Sequence, residues 1–269
     1  MPKIHPLATV HPGAVLAEDV EVGPYAYIDD NVTIGPGTHI LPHATIFPYV
    51  SIGRDCNVYP GAVVGAVPQD LKFDGEVTSV QIGDRVNIRE CATINRGTAA
   101  SGKGVTRIGN DTLIMSYVHV AHDCNVGNHC ILVSYVGLAG ETDVDDWAII
   151  GGGTKVHQFS KIGTHAMVGG GTAINKDIPP YSICGRVPIV FAGINLVGLR
   201  RRGFDSEVIR TIKDIYDLIY HQGYNISDSL ARIEEGFPQS EARDNILNFI
   251  RSSKRGIVRA GEPGAKDVE

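Results

Sequence analysis

An aliphatic residue recurs at every sixth position over most of this chain, and that period constrains the fold more than any other feature. The first series is Ile4, Val10, Leu16, Val22, Ile28, Ile34, Ile40, Ile46, Ile52, Val58 and Val64. It resumes as Ile82, Ile88 and Ile94, and a third series runs from Ile108 through Ile114, Val120, Val126, Leu132 and Leu138 to Ile174. Four residues after each aliphatic stands a small or β-branched residue, as at Ala8, Ala26, Thr38, Ala62, Thr112 and Thr154. An α-helix cannot bury one residue in six. A short strand followed by a tight corner can, and three such sides close a triangular coil of 18 residues. Parallel hydrogen bonds then stack the coils about 4.7–4.9 Å apart. The expected fold is mainly β, a left-handed parallel β-helix of hexapeptide repeats. Glycine often follows the aliphatic directly, as at Gly23, Gly35, Gly53, Gly109 and Gly127, and Asp29, Asp145 and Asn175 share that slot. These residue types tolerate positive φ, so the slot is expected to adopt it.

The two breaks in the period, about 68–81 (PQDLKFDGEVTSVQ) and 95–107 (NRGTAASGKGVTR), are expected to loop out of the coil. Excursions from a rigid scaffold are favoured places for sites. After Ile174 the period stops, and Asp177 to Pro188 reads as a proline-rich linker. Three helices are expected beyond it. The first is capped at Asp205 or Ser206, buries Val208, Ile212, Ile215 and Ile219, and stops at Gly223. The second is capped at Ser227, and the third at Ser240, ending at Gly256. The expected organisation is a coil over 1–186, a small α-helical C-terminal domain over 187–259, and a disordered tail over 260–269.

Net charge of −6 argues against nucleic acid or an anionic membrane as the partner of the whole molecule. No apolar run reaches spanning length, and the first residues lack a leader pattern, so a cytoplasmic location is expected. The five cysteines form no CxxC pair and do not read as a disulfide framework. Cys56, Cys124 and Cys130 fall in the small inward slot and are expected to be core packing.

The 18-residue coil also serves as a ruler. It places His122 below Gly140 and Gln158, Ala121 below Ala139 and His157, and Asp123 below Glu141 and Phe159. A histidine can act as a general base, an adjacent carboxylate can orient it, and a glycine N–H can stabilise an oxyanion. His122, Asp123 and Gly140 therefore suit acyl transfer to a hydroxyl. His119 is read as either surface or site, and His129 as solvated surface without company. No third ligand converges with the histidines, so neither metal nor cofactor is expected. GGGT occurs at Gly151 and again at Gly169, which stacks a bare groove suited to a long, thin ligand. The basic run Arg200 to Arg202 could hold a phosphate.

The stretches VPQDLKF, NIRECATINRGT, GVTRIGND, YVHVAHDC, VHQF and GLRRRGF together resemble the acyl-carrier-protein:UDP-N-acetylglucosamine O-acyltransferases of lipid A biosynthesis, from the N-terminus to about Arg259. The resemblance implies transfer of an (R)-3-hydroxyacyl chain from acyl carrier protein to the glucosamine 3-OH of UDP-N-acetylglucosamine, in a homotrimer. It implies His122 as general base, with Asp123 as its partner and Gly140 N–H as oxyanion donor. Sugar contacts would come from Asp70, Lys72, His119, His157 and Gln158, and the nucleotide side from Asn195, Arg201 and Arg202. Gly170 falls where acyl length is limited. Two positions depart from the family: Glu141 replaces its usual histidine at a substrate-contacting position, and Val197 replaces its glutamate near the uridine. Three rivals stay open at this point. They are the related N-acyltransferase, a metal-dependent enzyme such as a γ-class carbonic anhydrase, and a non-enzymatic scaffold.

Overall fold

The computed structural model describes residues 1–261; positions 262–269, most of the expected tail, lie outside the described residues. Most strands are only two residues long, and each pairs in parallel with the strand one coil away. Lys3 lies opposite Glu21, and His119 opposite Gly137. The strands form three sheets of 11, 9 and 8 strands, which are the faces of a parallel β-helix. Inside it the six-residue aliphatics from Val22 onward are buried, as at Ile28, Ile88, Ile150 and Ile162, while Ile4, Val10 and Leu16 in the first coil are partly exposed. Cys56, Cys124 and Cys130 share that core at 0 % exposure. Threonines in the small slot satisfy themselves against neighbouring coils. Thr38 Oγ1 donates to the Gly53 carbonyl at 2.8 Å and accepts from Cys56 N at 3.1 Å.

The corners differ from the sequence expectation in a way that matters for the site. At Gly23, Gly35, Gly53, Gly109 and Gly127 the glycine directly after the aliphatic is there for close approach, not for positive φ; Gly65, where the first excursion begins, does take it, at φ 86°. A Cβ on Gly35 would lie 2.8 Å from the Gly53 backbone, and one on Gly109 would lie 2.5 Å from Gly127. The left-handed residue comes two positions later and is mostly not glycine: Asn31, His43, Asp111, Asp123, Tyr135, Glu141, Trp147 and His165 all have φ between 55° and 66°. Such a conformation costs on the order of 1–3 kcal/mol. It also turns the corner N–H toward the coil below, where it finds a carbonyl, as in His129 N to Asn110 O at 2.8 Å. That bond offsets part of the strain.

The excursions are shorter than the breaks in the period. Ser79–Ile82 and Val105–Ile108 are coil strands paired with each other, so the loops proper span 67–78 and 96–104. Each lengthens its coil, to 30 residues between partners (Asn57 and Asn87) and then to 26 (Thr93 and His119).

At the C-terminal end the stretch read as linker is structured. Ser182–Gly185 adds to the coil beside Met167–Val168, then turns back as an antiparallel strand, Val190–Ile194. Four helices follow: α1 (Leu196–Arg201), α2 (Ser206–Tyr220), α3 (Ile226–Gly236) and α4 (Glu241–Ser252). The sequence pattern missed α1, whose six residues are too few for periodicity to register. Helix α3 starts earlier than expected, capped by the Asn225 side chain on Asp228 N rather than by Ser227, while Ser240 caps α4. Helix α4 also stops at Ser252, before Gly256. Ile209, Ile212, Ile215, Tyr216 and Ile219 form the buried face of α2, with Val208 only half-buried. Of the residues assigned to the tail, Ala260 bridges to Phe191.

Candidate active site

The strand His119–Val120 runs into a corner formed by Ala121, His122 and Asp123, with Asp123 at φ 58°. One coil up, the corner is Ala139, Gly140 and Glu141; the next is His157, Gln158 and Phe159. Corner amides hold the stack: Glu141 N–H donates to the His122 carbonyl at 3.0 Å, and Phe159 N–H to the Gly140 carbonyl at 3.2 Å. The ruler therefore placed His122 beneath Gly140 correctly.

His122 is 8 % exposed and Asp123 fully buried. His122 Nδ1 lies 2.8 Å from Asp123 Oδ2. The carboxylate is enclosed because the second excursion leaves the coil directly beneath it. Thr98 N–H donates to Oδ2 at 2.9 Å and to Oδ1 at 3.2 Å, and Thr98 Oγ1 donates to Oδ2 at 2.8 Å. Asp123 N–H in turn donates to Thr106 Oγ1 at 2.8 Å. Ringed by donors, the carboxylate acts as acceptor toward the ring, so the proton of this contact sits on Nδ1.

Nε2 faces the first excursion, where Asp70 Oδ2 stands 3.5 Å away. It also faces Gly140. A Cβ there would sit 2.5 Å from the ring Cε1, so only glycine admits the imidazole this close to the next coil. Among the described residues the Gly140 N–H makes no hydrogen bond. In front of the ring is a cleft of about 390 Å³ lined by Gln69, Asn95, His119, Gly137, Gly140 and Lys155. His119 Nδ1 pairs with Thr93 Oγ1 at 2.7 Å, and burial lowers its pKa, favouring the neutral ring. A larger hollow of about 780 Å³ lies between the coil and α4, with Asp143, Asp145, Asp146 and Glu241 in its wall. Burial and the neighbouring Asp143 and Asp146 push Asp145 up to about 6. No histidine or thiol lines that hollow, so the smaller cleft is the candidate for acyl chemistry.

The family model described as Udp N-acetylglucosamine O-acyltransferase, domain 2, matches residues 177–258, and the bacterial transferase hexapeptide model matches 13–48 and 106–140. The chain is 56 % identical over 258 residues to the acyl-[acyl-carrier-protein]–UDP-N-acetylglucosamine O-acyltransferase of Sulfurihydrogenibium sp., covering 96 % of this chain and 95 % of the relative. Against the Chlorobaculum tepidum protein of the same name it is 60 % identical over 253 residues, covering 94 % and 95 %. The chain belongs to this O-acyltransferase family. Solved members agree in fold. The Bacteroides fragilis UDP-N-acetylglucosamine acyltransferase superposes with a TM-score of 0.93 at 49 % identity, covering 95 % of this chain and 99 % of that one. The Francisella novicida acyltransferase gives 0.94 at 38 % identity, covering 98 % and 96 %.

The remaining residues expected from the O-acyltransferase resemblance divide by location. Asp70 is at the base, and the backbone N–H of the exposed Lys72 donates to its Oδ1 at 3.0 Å. Glu141 is half-buried at the left-handed corner position above Asp123. His157 is exposed, its Nδ1 3.0 Å from the Gln158 carbonyl, and Lys155 rather than His157 lines the cleft. Gly170 lies on a different corner, where Gly151, Gly152 and Gly153 stack beneath Gly169, Gly170 and Gly171.

The third corner carries the nucleotide-side candidates, and two of them are turned inward. Asn195 is buried; its Oδ1 accepts from Gly198 N–H at 3.1 Å as the cap of α1, and its Nδ2 donates to the His165 carbonyl at 2.9 Å. Arg202 donates to the Trp147 carbonyl at 3.1 Å and lies 3.3 Å from His165 Nδ1, with its guanidinium 5.2 Å from the Trp147 ring centre. Arg201 is exposed. His129 belongs to the same corner and is not the solitary surface residue expected. It stacks on Trp147 at 4.0 Å, below His165 and Tyr181.

Sequence reasoning missed Thr98, Thr106, Asn95 and Lys155. The ruler failed for Thr98 and Asn95 because the second excursion stretches the spacing to 26 residues, whereas Thr106, 17 residues before Asp123, sits in the ordinary 18-residue register and was passed over. A 26-residue ruler puts Gly97 under Asp123 and Asn95 under Ala121, which is where they stand. Among the described residues no three His, Cys, Asp or Glu side chains converge as a metal site, and no helix is long and apolar enough to cross a membrane.

Proposed function

We propose that the chain transfers a 3-hydroxyacyl group from acyl carrier protein to the glucosamine 3-OH of UDP-N-acetylglucosamine, the opening reaction of lipid A biosynthesis. The single observation that carries the mechanism is the His122 ring, held by Asp123 at Nδ1 and presenting Nε2 to the cleft under Gly140. Nε2 takes the proton of the sugar hydroxyl as its oxygen attacks the thioester carbonyl. The tetrahedral oxyanion accepts from the unspent Gly140 N–H. Collapse breaks the C–S bond, and the departing thiolate recovers the proton from the imidazolium, leaving an ester and a free pantetheine thiol. Asp123 orients the ring and stabilises its cationic form without changing its own protonation. Asp70, Lys72, His119, Glu141, His157 and Gln158 border the acceptor sugar.

The acting unit is a homotrimer in the cytoplasm. The base, the glycine groove around Gly170 and the arginines of α1 lie along three different corners of the β-helix. A trigonal arrangement of copies faces one corner against another, which lets the base of one protomer share a cleft with the groove or arginines of the next. In that arrangement Arg201 reaches the nucleotide, while Asn195 and Arg202 hold α1 against the coil.

The test is mass spectrometry of the product formed from UDP-N-acetylglucosamine and a mixture of acyl carrier protein thioesters. An O-acylated sugar nucleotide with stoichiometric release of thiol is expected. Product formed only on a 3-amino analogue of the sugar would overturn the assignment.

A further inference from the structure

Thr98 comes from the second excursion and touches neither cleft nor coil core, yet its side chain is 1 % exposed and spent on Asp123. Its backbone N–H and hydroxyl both donate to the carboxylate, and the hydroxyl accepts from Ser101 N–H at 3.3 Å. The direction of the hydroxyl proton is thereby set: it points at Asp123. Gly97 is required beside it, since a Cβ there would lie 2.6 Å from Asp123 Oδ1. Other charged groups around the pair are Asp70 at 3.5 Å from His122 Nε2, and Lys103, whose Nζ donates to the Asp123 carbonyl at 3.3 Å and pairs with Asp143 at 3.2 Å. None of these reaches the Asp123 carboxylate oxygens, so Thr98 and the histidine alone decide where those oxygens point.

We infer that Thr98 is a positioning residue for the acyl-transfer step, aiming the Asp123 carboxylate so that it can hold His122 in its base-competent tautomer and orientation. The inference rests on the reading of His122 as base. Two donors from one residue fix the carboxylate plane more tightly than the ring could alone. The excursion that breaks the repeat beneath Asp123 therefore has a function: it replaces the corner that would otherwise lie there with a pair of donors.

Thr98→Val keeps size and the N–H while removing the hydroxyl. It should lower kcat about tenfold or more, the scale of one charge-assisted hydrogen bond, and leave KM for both substrates within about twofold. Thr98→Ser should restore kcat to near the wild-type value. In an Asp123→Asn background the Thr98→Val change should cost little further, because its target is gone. An equal loss of kcat in both backgrounds, or a rise in KM with kcat unchanged, would overturn the inference and make Thr98 a loop anchor only. Failure of His122→Ala to reduce turnover would instead remove the base, and with it the reading beneath this one.

Discussion

His122 and His165 stand beside corners of neighbouring edges of the same β-helix, more than two coils apart, each with a partner at Nδ1, and they are made into opposite things. His122 meets a buried carboxylate at Nδ1, and its Nε2 faces a cleft and Asp70 at 3.5 Å. His165 meets Arg202, packs between Trp147 and Tyr181 at 5.9 and 5.7 Å, and has the edge of Phe204 5.0 Å away. Burial first, and then the Arg202 charge, push its pKa down to about 4. The coil supplies both with the same backbone. The sign of the partner and the access of the second ring nitrogen separate the proposed base from a structural wedge.

Exchanging those environments tests the contrast, and the largest effect is expected at the base. His122→Ala should reduce kcat by about a thousandfold, within the range ascribed to a positioned general base, with an unchanged melting temperature and assembly state. Steady-state assays beside thermal melts check this, and near-normal turnover would place the base elsewhere. Gly140→Ala comes next. Its methyl would overlap the His122 ring, and turnover should fall about a hundredfold as the ring is displaced from the oxyanion donor.

A smaller effect is expected in the glycine corner, which should change selectivity more than rate. If the bare stack around Gly170 receives the acyl chain, the expected donor is long, about fourteen carbons or more, and Gly170→Met should shift preference to shorter donors by about tenfold in kcat/KM. Competition among acyl carrier protein thioesters of graded length reads this, and a wild-type preference for about ten carbons would contradict it.

The smallest effect belongs to His165. Its folded pKa, about 4, lies below the ordinary 6.5, so the unfolded chain binds the proton more readily. Its contribution to stability is complete above pH 6.5 and is lost as pH falls toward 4. Asp145, raised to about 6, works in the opposite sense over part of that window. The informative quantity is therefore the difference between wild type and His165→Phe, which keeps the stacking. Wild type should lose melting temperature relative to the variant as pH drops from 7 to about 4.5, and parallel curves would show that the histidine takes up its proton equally in the folded and unfolded chain.

Much of the architecture was legible because the period is long and almost unbroken. Ile28, Ile88, Ile150 and the inward cysteines needed only counting, and stacking His122 under Gly140 needed only the 18-residue coil. Reading stopped where chain geometry depends on neighbours several coils away. The corner glycines were assigned positive φ because glycine tolerates it, whereas the next coil's backbone is what excludes a side chain there. Helix α1, a single short turn pinned by Asn195 and Arg202, has no periodicity to detect. Nor does the sequence record that Asn195 is buried and Arg202 half-buried against the coil, since an exposed amide or guanidinium and a buried one are spelled alike.

The amino-acid sequence by itself determined the repeat, the three-faced coil, and the column that sets a histidine beneath a glycine. Those depend on side-chain size and hydrophobicity at fixed spacing, which a linear pattern records. Tertiary structure alone decided that Asp123 is buried, that Thr98 donates to it, that Asp70 faces Nε2, and that Arg202 donates to the Trp147 carbonyl. Each of these depends on how a loop of irregular length folds back, because a loop's path is set by the surface that receives it.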